Sequence, residues 1–397
     1  MKHIPAATIG LDLAKNVFQV HGADAQGRKL FNKPIRRDKL AEFFQLQTPC
    51  IVAMEACASA NHWARKLQAM GHDVRLIAPQ HVKPYVQGSK HDAADASAIC
   101  EAVTRPRMRF VPIKNIEQQA DLSLHRARQS FVKARTAQDN QIRGFLAEYG
   151  LILPKGIGQI TSRVFELIED ASNELPGRFR ILINTLLEHF KQLHQQVLAL
   201  DAQIKASSKS PLARKLQTIP GIGPITASAL VASIGDPSAF KNGRQLAAWL
   251  GLVPSQHSSG GKTQMQGISK RGDSYLRSLL VHGARSVIWS SEKKRQAVKT
   301  LQGKADVAAI HPLSTDLAAR QDLGLASPEE VDQGGGMGLP ALPQHQAWLA
   351  GLLQRRHANV ATVALAAKNA RIAWAILKGE RNYEAGYVDP RFAKAAA

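Results

Sequence analysis

The sequence predicts an α/β domain, then a long helical region, then a mostly α-helical domain, and three observations predict it. Short apolar runs alternate with amphipathic stretches through the first 110 residues. Between about Ile116 and Ser207 the pattern turns helical and polar, and from Leu212 onward apolar segments are punctuated by Gly and Pro. At 397 residues the chain exceeds what one hydrophobic core normally organises, so several domains are expected.

Residues 7–13 and 17–21 are short β-type runs, and Gly27 and Arg28 form a hairpin turn into a third strand at 29–32. A short helical pattern at 38–46 leads to an apolar strand at 50–54. An amphipathic helix follows at 60–70, then a strand at 73–77 that stops before Pro79, then a helix from Asp92 to about Thr104. Three strands, helix, strand, helix, strand, helix is the order of an RNase H-like fold, an α/β sheet with helices on both faces.

Residues 111–210 read as a pair of long helices, a coiled-coil hairpin with breaks at 154–158 and 176–177. Arg126, Arg128, Arg135 and Arg143 line its first arm as candidate nucleic-acid contacts, the alternative for each being a solvated helix surface. In residues 211–300 the run Ile219-Pro-Gly-Ile-Gly-Pro-Ile-Thr-Ala, followed by an apolar helix to Ile234, looks like a helix-hairpin-helix unit. Its glycines would let backbone amides approach a phosphate, although Pro-Gly-x-Gly is also simply a good turn. Residues 261–300 hold nine Lys and Arg against two Asp and Glu. Residues 301–345, with Gln333-Gly-Gly-Gly-Met-Gly, read as loop or disorder, and 346–397 as a last helix and tail.

Composition narrows the function. Basic residues outnumber acidic ones by 52 to 31, a formal charge of +21 spread over the whole chain. Self-repulsion of that size destabilises a fold, and binding a polyanion is what makes it useful. A membrane surface would need only one basic amphipathic segment, so nucleic acid is the expected partner and a membrane is not. Two long uncharged stretches, 216–235 and 245–261, carry Pro, several Gly and polar residues and do not read as membrane spans. The start MKHIPAATIG is too short in its apolar part for a secretion signal. Cys50, Cys57 and Cys100 lack metal-ligand spacing and read as buried free thiols of a reducing cytoplasm.

Four carboxylates carry the chemistry. Asp12 and Glu55 each end an apolar strand, and Asp92 and Asp95, three apart at a helix start, share a face. In the proposed fold the first and fourth strands are central neighbours and the last helix crosses near their ends, so all four could meet. Gathered carboxylates repel unless a cation offsets them. Mg²⁺ takes oxygen ligands, and a pair of such ions serves both oxygens of a phosphodiester exchange. Taken singly, Asp92 and Asp95 also read as a helix cap and a surface carboxylate.

The blocks Gly10-Leu-Asp12-Leu-Ala-Lys, Met54-Glu55-Ala-Cys and Lys90-His-Asp92-Ala-Ala-Asp95-Ala resemble the DEDD transposases of bacterial insertion sequences. These are relatives of the Piv and MooV invertases with a RuvC-like catalytic domain. Leu216-Gln-Thr-Ile-Pro-Gly-Ile-Gly-Pro and Trp249-Leu-Gly-Leu-Val-Pro-Ser-Gln-His-Ser-Ser-Gly-Gly-Lys look like that family's C-terminal domain. The resemblance covers residues 5–292 and 346–380; the connection from Arg295 to Gln346 is longer than is usual in the family.

The resemblance implies a recombinase acting on donor and target DNA. It implies Asp12, Glu55, Asp92 and Asp95 holding Mg²⁺, with Mn²⁺ as substitute, and a structured guide RNA from the same element. On the residues alone, Ser258-Ser259-Gly-Gly reads as a turn. The resemblance implies instead that the serine before Gly, Ser259 with Ser258 as the fallback, attacks DNA and forms a phosphoserine. Lys262, Lys270, Arg271 and Arg277 would then contact phosphates. Serine and carboxylates fall on different domains, so a homodimer or homotetramer, working at the nucleoid in the bacterial cytoplasm, is expected to assemble the site. Two rivals stay open: a Holliday-junction-type endonuclease using water as nucleophile, and a binding protein without catalysis, which the presence of all four carboxylates disfavours.

Overall fold

The computed structural model describes residues 5–89, 91–290, 344–379 and 382–384. The chain falls into two units, Met1–Ser123 with Ala232–Ala239, and Leu124–Val231 with Phe240–Ala397. Of the predicted 301–345 loop, residues 301–343 lie outside the described residues, and Gln344 and His345 begin a helix.

The first unit opens with an antiparallel meander of β1 (Thr8–Asp12), β2 (Val17–Ala23) and β3 (Lys29–Arg36). The Asp24 carboxylate shapes the β2–β3 turn by accepting the Gln26 and Arg28 backbone N–H groups at 2.9 and 2.8 Å. Then come α1 (Leu40–Gln45), β4 (Ile51–Glu55), α2 (Ala60–Gln68), β5 (Asp73–Ile77), α3 (Pro79–Val82), α4 (Asp92–Val103) and β6 (Phe110–Val111). The sheet order is β3-β2-β1-β4-β5-β6, with β1, β4 and β5 parallel. This mixed sheet with helices matches the arrangement expected of an RNase H-like domain.

Besides the short helix α3, which the sequence reading did not include, two details differ from it. β3 runs on through Pro34, whose missing N–H is tolerated on an edge strand with one open side. The two-residue β6, antiparallel to β5, is too short to leave a periodic signal.

Side chains alternate across the sheet. Ile9, Leu11, Val52 and Met54 face one way, into a core with Phe18, Leu40, Phe44, Trp63 and Leu67 beneath α1 and α2. Ala53 and Ile77 face the other way, against Ile99, Ala102 and Val103 of α4. On that second face Gly10 lies directly under α4. A Cβ at Gly10 would stand 2.2 Å from the Ala96 carbonyl oxygen and 2.6 Å from the Cys100 nitrogen. Only a residue without a side chain lets the helix sit this close to the strand.

In the second unit the long helix α5 (Ile116–Ala147), from Leu124 onward, runs antiparallel to α7 (Gly177–Ser207). Arg128 pairs with Asp201, Arg135 Nη1 meets His194 Nδ1 at 2.9 Å, and Gln138 Oε1 meets His189 Nδ1 at 2.8 Å. Between them lies a third helix, α6 (Ile157–Glu169), that the sequence reading did not separate. Its apolar stripe Ile160, Val164 and Ile168 packs with Ile142, Leu146, Ile183 and Leu187.

The remainder is α8 (Pro211–Gln217), α9 (Pro224–Ile234), α10 (Gly243–Trp249), a hairpin of β7 (Pro254–Ser259) and β8 (Lys262–Ile268), and α11 (274–290). After it come α12 (Gln344–Arg355) and α13 (Ala358–Leu377). Among the described residues α13 is the one helix long and apolar enough to cross a membrane, and 56% of that stretch is buried. It packs on α8 and α10, and its buried Asn369 donates from Nδ2 to the Pro220 carbonyl at 2.8 Å.

His125 joins three helices of this unit: Nδ1 meets the Tyr275 hydroxyl at 3.0 Å and Nε2 meets Ser228 Oγ at 3.1 Å. Burial, and then the Arg128 charge, pushes its pKa down to about 4.

Two outcomes follow from this packing. Gly10→Ala is expected to destabilise the first unit by about 1–3 kcal/mol through overpacking against α4, read from the urea midpoint. For His125, the unfolded chain takes up the proton first. Its contribution is therefore complete above about pH 6.5 and is lost as pH falls from 6.5 toward 4, about 2 kcal/mol being gone by pH 5. Between pH 7 and 5, His125→Gln should lose about 2 kcal/mol less stability than the parent chain; equal losses would show that His125 does not carry the effect.

Candidate active site

β1 and β4 are adjacent and parallel, with Leu11 registered on Met54, so Asp12 and Glu55 emerge side by side where the two strands end. By alternation both carboxylates lie on the face that Gly10 and Ala53 turn toward α4. Both are half-buried. Cys57, just beyond Glu55, reports their proximity: partial desolvation and then the charges of Glu55 and Asp12 push its thiol pKa up. It is also exposed, unlike Cys50 and Cys100, which corrects the expectation of three buried thiols.

Asp92 and Asp95 occupy the first turn of α4, where the helix dipole favours negative charge. Asp92 is not the cap. His91 holds that position in extended conformation, and its Nδ1 accepts the Ala94 N–H at 3.1 Å, which frees the Asp92 side chain from capping. The placement of this turn rests on a polar group that sequence reasoning missed. Asn32 Nδ2 donates to the Ala93 carbonyl at 2.9 Å and stands 3.1 Å from His21 Nδ1, while Gln19 Nε2 donates to Asn32 Oδ1 at 2.6 Å. Gln19 is registered on Asp12 and His21 on Gly10, so these side chains share the carboxylate face. The available signal was three polar residues at alternate, inward positions of β2 and β3.

All four carboxylates therefore belong to one face of the sheet, and their hard oxygens suit a divalent cation. Among the described residues, however, no three His, Cys, Asp or Glu side chains stand close enough to hold one ion together. The structure sets Asp12 beside Glu55 and puts Asp92 and Asp95 in the first turn of the helix over the same face, but it does not close the four into a single set.

Ser259 lies in the second unit, at the end of a strand that leads into the expected turn. Ser258 and Ser259 end β7, and Gly260 and Gly261 at φ 55 and 75 make the two-residue turn into β8. Two successive positive φ values fit a type I′ hairpin, whose twist matches the flanking strands. Gly-Gly between two short runs was the available signal, masked because both strands are polar and almost entirely exposed. Ser258 is engaged, accepting from Gln256 Nε2 at 2.6 Å. Ser259, registered on Lys262, is exposed and its hydroxyl has no hydrogen-bond partner among the described residues. At the base of the hairpin Lys270 is held at φ 53; the other non-glycine residue at positive φ among those described is Ser59, in the turn after Glu55. Such conformations are costly and cluster at functional sites.

The basic residues fare unequally. Arg126, Lys262, Lys270 and Arg271 are exposed. Arg128 is paired with Asp201, and Arg135 with His194. Arg143 binds Asp139 at 2.6 Å and the carbonyls of Leu153, Pro154 and Gly156 at 3.1, 2.7 and 3.1 Å. Arg277 is half-buried and donates to the Leu250 carbonyl at 3.1 Å. These four guanidinium groups serve the fold of the second unit. The same holds at the Ile219–Gly223 turn: a Cβ on Gly221 would meet the Gly283 carbonyl at 2.8 Å, so this glycine admits α11 rather than a phosphate.

Comparison with known proteins places the chain. A transposase family model, DEDD_Tnp_IS110, matches residues 9–151, and a model described as the IS116/IS110/IS902 transposase family matches residues 213–299. A probable family 20 transposase of Pseudomonas aeruginosa is 45% identical over 380 residues, covering 95% of this chain and 98% of the relative. The chain belongs to the IS110/IS116 family of transposases. Further members are a putative transposase of Sinorhizobium fredii, 38% identical over 94% of this chain and 85% of the relative, and the transposase for insertion sequence element IS1111A of Coxiella burnetii, 36% identical over 95% and 91%. As an IS110/IS116 transposase the protein is a DNA-recombining enzyme, and its DEDD class implies use of a divalent metal.

Asn32→Ala tests the placement of α4. It leaves the Ala93 carbonyl, His21 and Gln19 short of a partner, at an expected cost of about 1–3 kcal/mol measured by chemical denaturation. Hydrogen exchange should rise first in residues 92–95; unchanged protection there would show that Asn32 does not hold the turn.

Proposed function

We propose that this transposase exchanges DNA strands for its insertion sequence through a serine nucleophile, Ser259, acting with Asp12, Glu55, Asp92 and Asp95. The observation that carries this reading is the Ser259 hydroxyl, exposed and without a hydrogen-bond partner among the described residues, at the tip of a hairpin whose backbone is set by two glycines. Ser258 is the weaker candidate because Gln256 already holds its hydroxyl.

In the reaction Ser259 Oγ forms a bond to phosphorus as one phosphorus–oxygen bond of the DNA backbone breaks. The serine proton is given up and the leaving oxygen takes one back. Attack by a hydroxyl of a second strand reverses the step and restores the serine, so the number of phosphodiester bonds is conserved. Lys262, opposite Ser259 on the same face of the hairpin, is placed to hold the phosphate, with Lys270 and Arg271 beyond it. The four carboxylates would hold Mg²⁺, or Mn²⁺ in its place, which would stabilise the charge that develops on the phosphate oxygens. His91 and Asn32 keep the first turn of α4 available to it.

Serine and carboxylates sit on different units, and we read the working enzyme as a homodimer or homotetramer that joins them at the nucleoid. The α8–turn–α9 segment would serve as a helix-hairpin-helix-like brace for the serine hairpin, and the α5–α7 pair as a coiled-coil spacer. A structured RNA from the same element is proposed to choose the DNA. A charge of +21 without a helix-turn-helix or zinc-finger reader fits a protein that grips backbones and leaves sequence reading to base pairing.

Denatured reaction products should retain DNA covalently bound to protein, and Ser259→Ala should abolish this link while nucleic-acid binding persists. A link that survives the Ser258→Ala, Ser259→Ala double substitution would overturn the serine assignment. Continued cutting of branched DNA by the double variant would identify water as the nucleophile.

A further inference from the structure

At the sheet end where Asp12 and Glu55 emerge, the β2–β3 edge and α2 carry a cleft that the reaction as described does not use. It has a volume of about 740 Å³ and is lined by Asn16, Arg36, Arg37, His62, Trp63 and Lys66, with Val17 and Asp38 completing it. The topology puts it there. β1 leaves the sheet at Asp12 into the turn that contains Asn16, and β4 leaves at Glu55 into the turn that starts α2, bearer of His62, Trp63 and Lys66.

The cleft is positive and partly pre-arranged. The Arg37 guanidinium lies 5.3 Å from the Phe18 ring centre and 5.9 Å from that of Trp63, and its Nη1 donates to the Lys15 carbonyl at 3.3 Å. Lys66 Nζ is 5.2 Å from the Trp63 ring, so two cations bracket one indole. Asp38 is the lone acid of the lining and pairs only with Arg36, 3.2 Å away, with both side chains exposed. An exposed pair of this kind is weak. The potential registers on His62, whose pKa is lowered by burial and then by Lys66, Arg65 and Arg37. Trp63 itself is 4% exposed, and its Nε1 is buried without a hydrogen-bond partner, one of few such atoms among the described residues. Two cations held beside one aromatic ring, with the exposed Arg36 on the same lining, present the positive charge that grips a phosphodiester backbone.

We propose that this cleft is a binding site for the backbone of the substrate DNA strand, next to the phosphate presented to Asp12 and Glu55. This rests on the strand-exchange reading above but concerns other residues.

The test uses the full chain. DNA affinity is measured against salt concentration for the parent and for Arg36→Gln combined with Lys66→Gln, both exposed positions. Loss of two phosphate contacts should lower the slope of log K against log salt by about 1.4 to 1.8. Lys29→Gln combined with Lys33→Gln, an equal charge loss elsewhere on β3, should leave the slope close to that of the parent. An unchanged slope in the cleft variant, or an equal fall in both variants, overturns the site. A fall for the RNA that co-purifies with the protein, but not for DNA, overturns its assignment to the DNA strand. Covalent protein–DNA product in the parent chain is scored separately. A normal slope with that product present sinks the cleft alone, whereas absence of the product sinks the serine reading whatever the slopes show.

Discussion

The approach of α4 to β1 at Gly10 is the constraint on which the catalytic unit depends. Backbone atoms of Ala96 and Cys100 fill the space that any side chain at position 10 would take. That contact sets the height of α4 above the sheet, and Asn32 fixes where its first turn begins. Asp92 and Asp95 therefore inherit their position from a missing side chain and one amide, and Asp12 inherits its own from lying two residues along the same strand. The carboxylates are positioned through the backbone they sit on. A site that must gather negative charge gains from this arrangement, because the stabilising contacts are made by neutral groups beside it.

How much of this could be read from the amino-acid sequence follows from where the signal lay. Strands β1 and β4 are buried on both faces and read as apolar runs, so their order and the neighbouring positions of Asp12 and Glu55 were legible. Gly10 was legible only as part of a motif; its role is a distance between two elements, which no local pattern encodes. Gln19, His21 and Asn32 looked like ordinary polar strand residues because inward and outward positions cannot be told apart before the helix above them is placed. The serine hairpin was hidden for a related reason: both its strands stand in solvent and carry no apolar alternation, leaving Gly260-Gly261 as the one mark of its turn.

Charge was legible in total but not in detail. The excess of 21 positive charges points to nucleic acid, yet Arg128, Arg135 and Arg143, spaced along α5 as though for a backbone, are turned to the partner helix and to nearby carbonyls. A guanidinium offers five donors in a rigid fork. It is therefore the residue best able to close a helix end or bridge two helices as well as to meet a phosphate. Helical spacing alone does not distinguish these uses; the presence of Asp201 or His194 across the helix pair does.

At one sheet end the carboxylates lie on one face, while Arg37 and Lys66 stand beside Trp63 on the other. Asp12 and Glu55 are turned toward α4. Val17 and Arg36, registered on each other where β2 and β3 reach the same end, continue into the turn that brings Arg37 over Phe18 and Trp63 on the face of α2. A sheet only one residue thick thus separates an acidic surface from a basic one by the width of a backbone. Acid alone would repel the polyanion it must cut, and base alone would bind it without offering a place for a cation. With both at one edge, the attraction that draws a phosphodiester strand in and the charge that holds the cation need not neutralise each other, since the strand backbones and the apolar cores above and below them keep the two sets of side chains apart.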